Sequence, residues 1–183
     1  ELQKCFYYIV DFKFDSDGLQ HLNKFSDDKV QLTLRDSTDG SPVHIKQYPV
    51  DKAHRTLGVM LAPDLQYEAE ASRISSKIQS ICTRLSPHFL DAPLINRFLL
   101  TMYRPSVSYS APLTSIPSSV WQQLQSRLKS LVLRKLHYNA NIPSALIHSP
   151  TSLGGIGIPD GFAEQGTQHC MLVIKHLRSD SSV

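Results

Sequence analysis

Up to about residue 61, apolar residues alternate with polar ones or gather in short aromatic and β-branched runs. From residue 67 onward they recur every three or four positions. The first pattern predicts strands and the second helices. Residues 5–14 (CFYYIVDFKF) are expected to form a strand that stops at the turn residues Asp15, Ser16, Asp17 and Gly18. Residues 30–34 (VQLTL) alternate and run into a second polar cluster, Asp36, Ser37, Thr38, Asp39 and Gly40. Residues 42–48 (PVHIKQY) alternate again, and residues 57–61 (LGVML) read as a further short strand ended by Pro63 and Asp64. Together they predict a small antiparallel β-meander with one solvated face.

The remainder reads as helical. Tyr67, Ala71, Ile74, Ile78, Ile81 and Leu85 keep a 4-3-4-3-4 spacing, the stripe of an amphipathic helix. Arg73, Lys77, Ser80 and Arg84 repeat that spacing one position earlier, so a basic stripe flanks the apolar one. Pro87 ends the segment. A second helix is expected with Asp91 as its N-cap and Pro93 in its first turn, burying Ile95, Phe98, Leu99 and Met102 before Pro105 stops it. A third starts after Ser118 or Ser119, carries Trp121, Leu124, Leu128, Leu131 and Val132 inward, and ends near Asn139. A fourth covers roughly residues 162–177, after the glycine-rich Leu153-Gly154-Gly155-Ile156-Gly157-Ile158 stretch. The predicted class is α+β, with a β-rich segment over residues 1–64 and a helical region over residues 65–183.

Charge sharpens this division. Residues 1–64 hold eight Lys and Arg against ten Asp and Glu, whereas residues 71–159 hold nine basic residues and one acid, Asp91. The nine are Arg73, Lys77, Arg84, Arg97, Arg104, Arg127, Lys129, Arg134 and Lys135. An ordinary solvated helix face mixes signs for i,i+4 pairing, so a one-signed run over successive helices points to a polyanionic partner. Tyr103, Tyr109, Tyr138 and Trp121 are candidates for stacking on bases, although Trp121 has the spacing of a core anchor.

Catalytic motifs are sparse. No Gly-x-Ser-x-Gly, HExxH, CxxC or phosphate-binding loop occurs, and the GGIGI stretch reads as a tight turn between close backbones. Asp27-Asp28 is the one adjacent acid pair, set in a polar loop. The eight histidines show no metal-ligand spacing, and His169 and His176 are two helical turns apart. Three widely spaced cysteines, Cys5, Cys82 and Cys170, favour a reducing compartment over a disulfide framework. No run approaches the ~20 apolar residues of a membrane helix. The chain opens on Glu1 in the middle of a strand pattern, with no secretory leader, and so is expected to be a piece of a larger intracellular protein.

Three local patterns, in this order, resemble reverse transcriptases of the non-LTR retrotransposon type. Leu2, Lys4-Cys5-Phe6-Tyr7-Tyr8, Asp11-Phe12, Phe14 and Asp17-Gly18 look like the segment immediately downstream of the catalytic palm motif in those enzymes. His54-Arg55-Thr56-Leu57-Gly58-Val59 is similar to their short tyrosine-leucine-glycine strand, with Thr56 in place of the aromatic. Tyr103-Arg104-Pro105-Ser106-Val107-Ser108-Tyr109, residues 139–143, Gly154-Gly155-Ile156-Gly157-Ile158 and Gln165-Gly166 resemble the helical region beyond. The resemblance implies a palm tail over residues 1–64 and a thumb-like helical subdomain over residues 65–183. It implies that Arg55 and Gly58 approach the primer terminus and that Lys4 is a candidate general acid near the incoming nucleotide. The Mg²⁺ of the parent polymerase would be held by aspartates upstream of Glu1, so no cofactor is expected in this segment itself.

The expected function is therefore that of a nucleic-acid-binding piece of an RNA-directed DNA polymerase, with no complete catalytic site. It would grip RNA/DNA duplex through Arg73, Lys77, Arg84, Arg97, Arg104, Arg127, Arg134 and Lys135 and meet the palm and fingers of its parent chain, with no membrane contact. Two other readings stand beside it: an interaction module whose basic helices meet an acidic partner protein, and a decayed element remnant.

Overall fold

The structure is a computed structural model that describes residues 6–18, 20–23, 32–35 and 40–179. It is of the α+β class, with small antiparallel sheets followed by several helices. The chain divides into two compact units, Glu1–Gln66 and Tyr67–Val183.

In the first unit the strands pair two by two. Strands β1 (Phe6–Tyr7) and β6 (Lys46–Gln47) run parallel; β2 (Asp11–Phe14) and β3 (Gln20–Asn23) form a hairpin, as do β4 (Thr33–Arg35) and β5 (Pro42–His44), and β7 (His54–Thr56) and β8 (Val59–Leu61). The single strand expected over residues 5–14 is thus two, and it divides where the chain leaves one partner for another. The turn at Asp15 to Gly18 forms as its composition predicts. Gly18 N–H donates to the Asp15 carbonyl at 3.1 Å, and Asp17 N–H donates to Asp15 Oδ1 at 3.0 Å. Asp36 to Asp39 and Asp27-Asp28 lie outside the described residues.

An aromatic cluster ties β1 to the segments around β6 and β7. The Phe6 ring lies 3.8 Å from His54 and 5.3 Å from Tyr48, centroid to centroid, and meets Tyr8 edge-on at 5.5 Å. Lys52 Nζ sits 4.2 Å from the Tyr48 ring centre. The Tyr8 hydroxyl donates to the Lys52 carbonyl at 2.9 Å.

The second unit is built on one stripe. Helix α1 (Glu68–Leu85) buries Ala71, Ile74, Ile78, Ile81 and Leu85, as the spacing requires, and packs on α4 (Ser118–Lys135), which buries Trp121, Leu128, Leu131 and Val132. Helix α2 (Ala92–Phe98) starts as expected, with Asp91 Oδ1 accepting from Leu94 N–H at 3.0 Å. It does not stop at Pro105. The chain widens into a π-helical turn, Leu99–Tyr103, in which Arg104 N–H donates to the Leu99 carbonyl, and then continues as α3 (Arg104–Ser108). Proline has no N–H for the residue 101 carbonyl and its ring crowds that carbonyl, so a wider turn is how the helix passes it. One consequence is that Tyr103 turns inward and Met102, expected in the core, is 51% exposed.

Short helix α5 (Ser144–His148) and the final helix α6 (Gly161–Ser179) complete the unit. Two buried glutamines lock it. Gln165 Oε1 accepts from Ile116 N–H at 3.1 Å and from Trp121 Nε1 at 3.2 Å, while its amide donates to the Ile116 carbonyl at 3.1 Å. The Gln125 amide donates to the Tyr103 hydroxyl at 2.5 Å and to the Pro159 carbonyl at 2.8 Å. Gly161 abuts the Trp121 ring so closely that a Cβ there would lie 2.5 Å from the indole.

This packing makes two substitutions costly. Gly161→Ala should lower stability by about 1–3 kcal/mol, since the enclosed indole has nowhere to move. Gln165→Met should cost about as much or more, because it strands two buried N–H groups and a carbonyl. Chemical denaturation checks both, and wild-type midpoints would contradict the packing described. The β7–β8 hairpin offers a change in the other direction. Its two turn residues, Leu57 and Gly58, both have positive φ, 49° and 92°, the pattern of a type I′ turn that favours Asn-Gly. Leu57→Asn should therefore stabilise by about 0.5–1 kcal/mol, and a loss of stability would contradict this turn.

Candidate nucleic-acid interface

The basic stripe of α1 becomes one wall of a groove of about 390 Å³. Arg73, Lys77, Ser80 and Arg84 form that wall, with Ile81 at its foot. The opposite wall comes from the π-turn and its flanks: Phe98, Thr101, Met102, Pro105, Ser106 and Tyr109. Lys77 and Arg84 are two helical turns apart, about 10 Å along the axis. Both side chains are exposed, as is Tyr109 opposite them.

The nine basic residues are not equivalent. Arg73 is bound by Glu70, one residue before the acid-poor window: its Nε and Nη2 donate to the two carboxylate oxygens at 2.8 and 2.5 Å. Glu70 is wholly buried, so this pair neutralises a carboxylate the fold has enclosed. Hydrogen bonding to Glu70 pushes the Arg73 pKa further up. Arg104 is tied to α6, its Nε and Nη2 lying 3.3 and 3.2 Å from Glu164 Oε1, which also accepts from Ser108 Oγ at 3.2 Å. Lys135 Nζ donates to the carbonyls of Ser86 and His88 at 3.1 and 2.6 Å, closing the C-terminal end of α1. Among the described residues, Lys77, Arg84, Arg97, Arg127, Lys129 and Arg134 have no carboxylate partner.

Those six do not converge. Arg97 is exposed on α2, outside the groove lining. Arg127 and Arg134 line a separate cleft of about 210 Å³ with Cys82, Thr83, Ser86 and Leu131. Burial pushes the Cys82 thiol pKa up, with Arg127 pulling it the other way. In the first unit, Arg55 is exposed on β7 opposite Met60, and Gly58 is the second residue of the hairpin turn. The strand expected over residues 57–61 therefore begins only at Val59. Lys4 lies outside the described residues.

Two of the four candidate stacking residues are core. Trp121 and Tyr103 are each 1% exposed, and burial raises the Tyr103 pKa well above its ordinary value. Tyr109 and Tyr138 remain at the surface. The backbone N–H groups of residues 154–158 all donate to carbonyls, those of Thr151, Pro150, Leu146, Ser149 and Ile147 in turn, so none is left to cradle a phosphate. Among the described residues no three His, Cys, Asp or Glu side chains come together as metal ligands, and no helix is long and apolar enough to cross a membrane.

The spacing of residues 95–111 carried a signal for the groove's second wall. Ile95, Leu99, Tyr103, Val107 and Ala111 are buried at intervals of four, wider than the 3.6 of an α-helix and suited to a stretch containing a π-turn. No protein-family model matches the chain, and no curated protein or solved structure is significantly similar to it.

Proposed function

We propose that this chain is the nucleic-acid-gripping part of a reverse transcriptase, holding primer–template through its basic helices and lacking a complete catalytic site of its own. The observation that carries the reading is the wall of α1, where Lys77 and Arg84 stand exposed along one open groove, with no carboxylate partner among the described residues. Such a rail attracts a phosphate backbone whatever its sequence. The ordered motifs from Lys4 to Gly166 supply the polymerase assignment. The Mg²⁺-binding aspartates and the fingers then belong to other parts of an intracellular parent. In that parent the β7–β8 hairpin, with Arg55 and Gly58, lies against the primer end.

A second reading draws on α6. Met171, Leu172 and Ile174 are between 39% and 59% exposed and share one groove with Lys175 and Arg178, which suits an acidic amphipathic partner protein. Salt separates the two readings, because counterion release from a nucleic-acid backbone gives a steep log-linear loss of affinity.

The test is binding of a labelled primer–template across a salt series. Wild-type affinity should fall log-linearly with salt, and the double variant Lys77→Gln/Arg84→Gln should flatten the slope by about two phosphate contacts. Arg73→Gln serves as the contrast: it should lower stability by removing the bidentate guanidinium from buried Glu70, with little change in affinity in the folded protein. Salt-independent binding, or a double variant with wild-type slope, contradicts the proposal. A separate outcome concerns activity: the purified chain should incorporate no nucleotide on a primed RNA template with Mg²⁺, and template-dependent extension would refute the view that its catalytic site is incomplete.

A further inference from the structure

The α1 groove differs from a surface that meets duplex alone. Duplex backbone offers phosphates and sugars, and a basic convex face suffices to hold it. Here the cations occupy one wall only. The facing wall is aromatic and apolar, with Tyr109 58% and Met102 51% exposed, and Phe98 and Ile81 at the base. Thr101, Ser106 and Tyr109 place hydroxyls along the same wall. The Thr101 and Ser106 hydroxyls donate to the carbonyls of Arg97 and Met102 at 2.8 and 2.6 Å, which leaves their oxygens able to accept.

We propose that this groove takes an unpaired stretch of nucleic acid, with a base against Tyr109 and Met102 and the flanking phosphates on Lys77 and Arg84. This rests on the nucleic-acid reading above and assigns the single-stranded part of the substrate to this site. Stacked nucleotides advance about 3.4 Å each, so the roughly 10 Å between Lys77 and Arg84 spans about three phosphates. An unpaired base exposes a flat apolar face and a polar edge, matching a wall of aromatic, thioether and hydroxyl groups. A base pair inside a duplex keeps that face stacked and gives the wall nothing to touch. The π-turn is what makes the wall: by carrying Tyr103 into the core it leaves Met102 and Tyr109 facing the groove.

Competition binding with the full chain tests this. Three unlabelled competitors are compared: a 12-nucleotide pyrimidine single strand, a blunt 12-base-pair duplex, and the same duplex carrying a single-stranded overhang. The single strand and the overhang substrate should compete better than the blunt duplex. Tyr109→Ala should weaken both by about 5- to 150-fold, the range for loss of one stacked base, and leave blunt-duplex binding unchanged. Tyr109→Phe should keep most of the affinity, which separates stacking from a folding defect. If blunt duplex competes equally and Tyr109→Ala is silent, this inference fails while the nucleic-acid reading stands. If no nucleic acid competes but an acidic peptide does, both fail.

Discussion

Pro105 is the constraint on which the arrangement of the helical unit depends. A proline inside a continuing helical run must be accommodated, and here the chain widens by one residue at Leu99–Tyr103 rather than breaking. The extra residue changes which side chains face inward. Tyr103 enters the core, where its hydroxyl needs a partner, and the Gln125 amide supplies one while also reaching the Pro159 carbonyl. The α2–α3 wall, α4 and the loop before α6 are thereby joined through one buried polar link. The groove beside α1 is the outer surface of that same solution.

Two further buried polar side chains, Gln165 and Glu70, obey the same rule. Gln165 satisfies both backbone groups of Ile116 and the indole N–H of Trp121, fixing the turn before α4 against α6. Enclosed Glu70 requires Arg73, and Arg104 is bound to largely enclosed Glu164. Each demand pairs a cation with a carboxylate, although Arg104 stays about half exposed. A basic composition therefore overstates the free positive charge: Arg73, Arg104 and Lys135 serve the fold, and the remainder face more than one direction.

How much was legible from sequence depends on which interactions are local. The apolar stripe of α1 and the Asp91 cap are set by residues within one or two turns of each other, and both form as read. The Asp15 to Gly18 turn is local too. Strand pairing is not: β1 finds β6 some forty residues away and in parallel, a choice that alternation alone does not encode. Met102 is exposed rather than buried because the 3.6-residue period does not hold through the π-turn at Leu99–Tyr103, which the four-residue spacing from Ile95 to Ala111 marks. Of the candidate site, Lys77, Arg84 and Tyr109 were legible from charge and spacing. The withdrawal of Arg73 depended on Glu70, visible at i,i+3 but lying just outside the acid-poor run.

The central claim is that the groove between α1 and the π-turn is where nucleic acid meets this chain. Backbone amide shifts of the isotope-labelled protein, monitored as an oligonucleotide with a single-stranded overhang is added, test it most directly. Perturbations are expected to concentrate on residues 73–84 and 98–109, and to fade together as salt is raised. Perturbations confined to α6 or to the Arg127 and Arg134 cleft, with residues 73–84 unchanged, would contradict it.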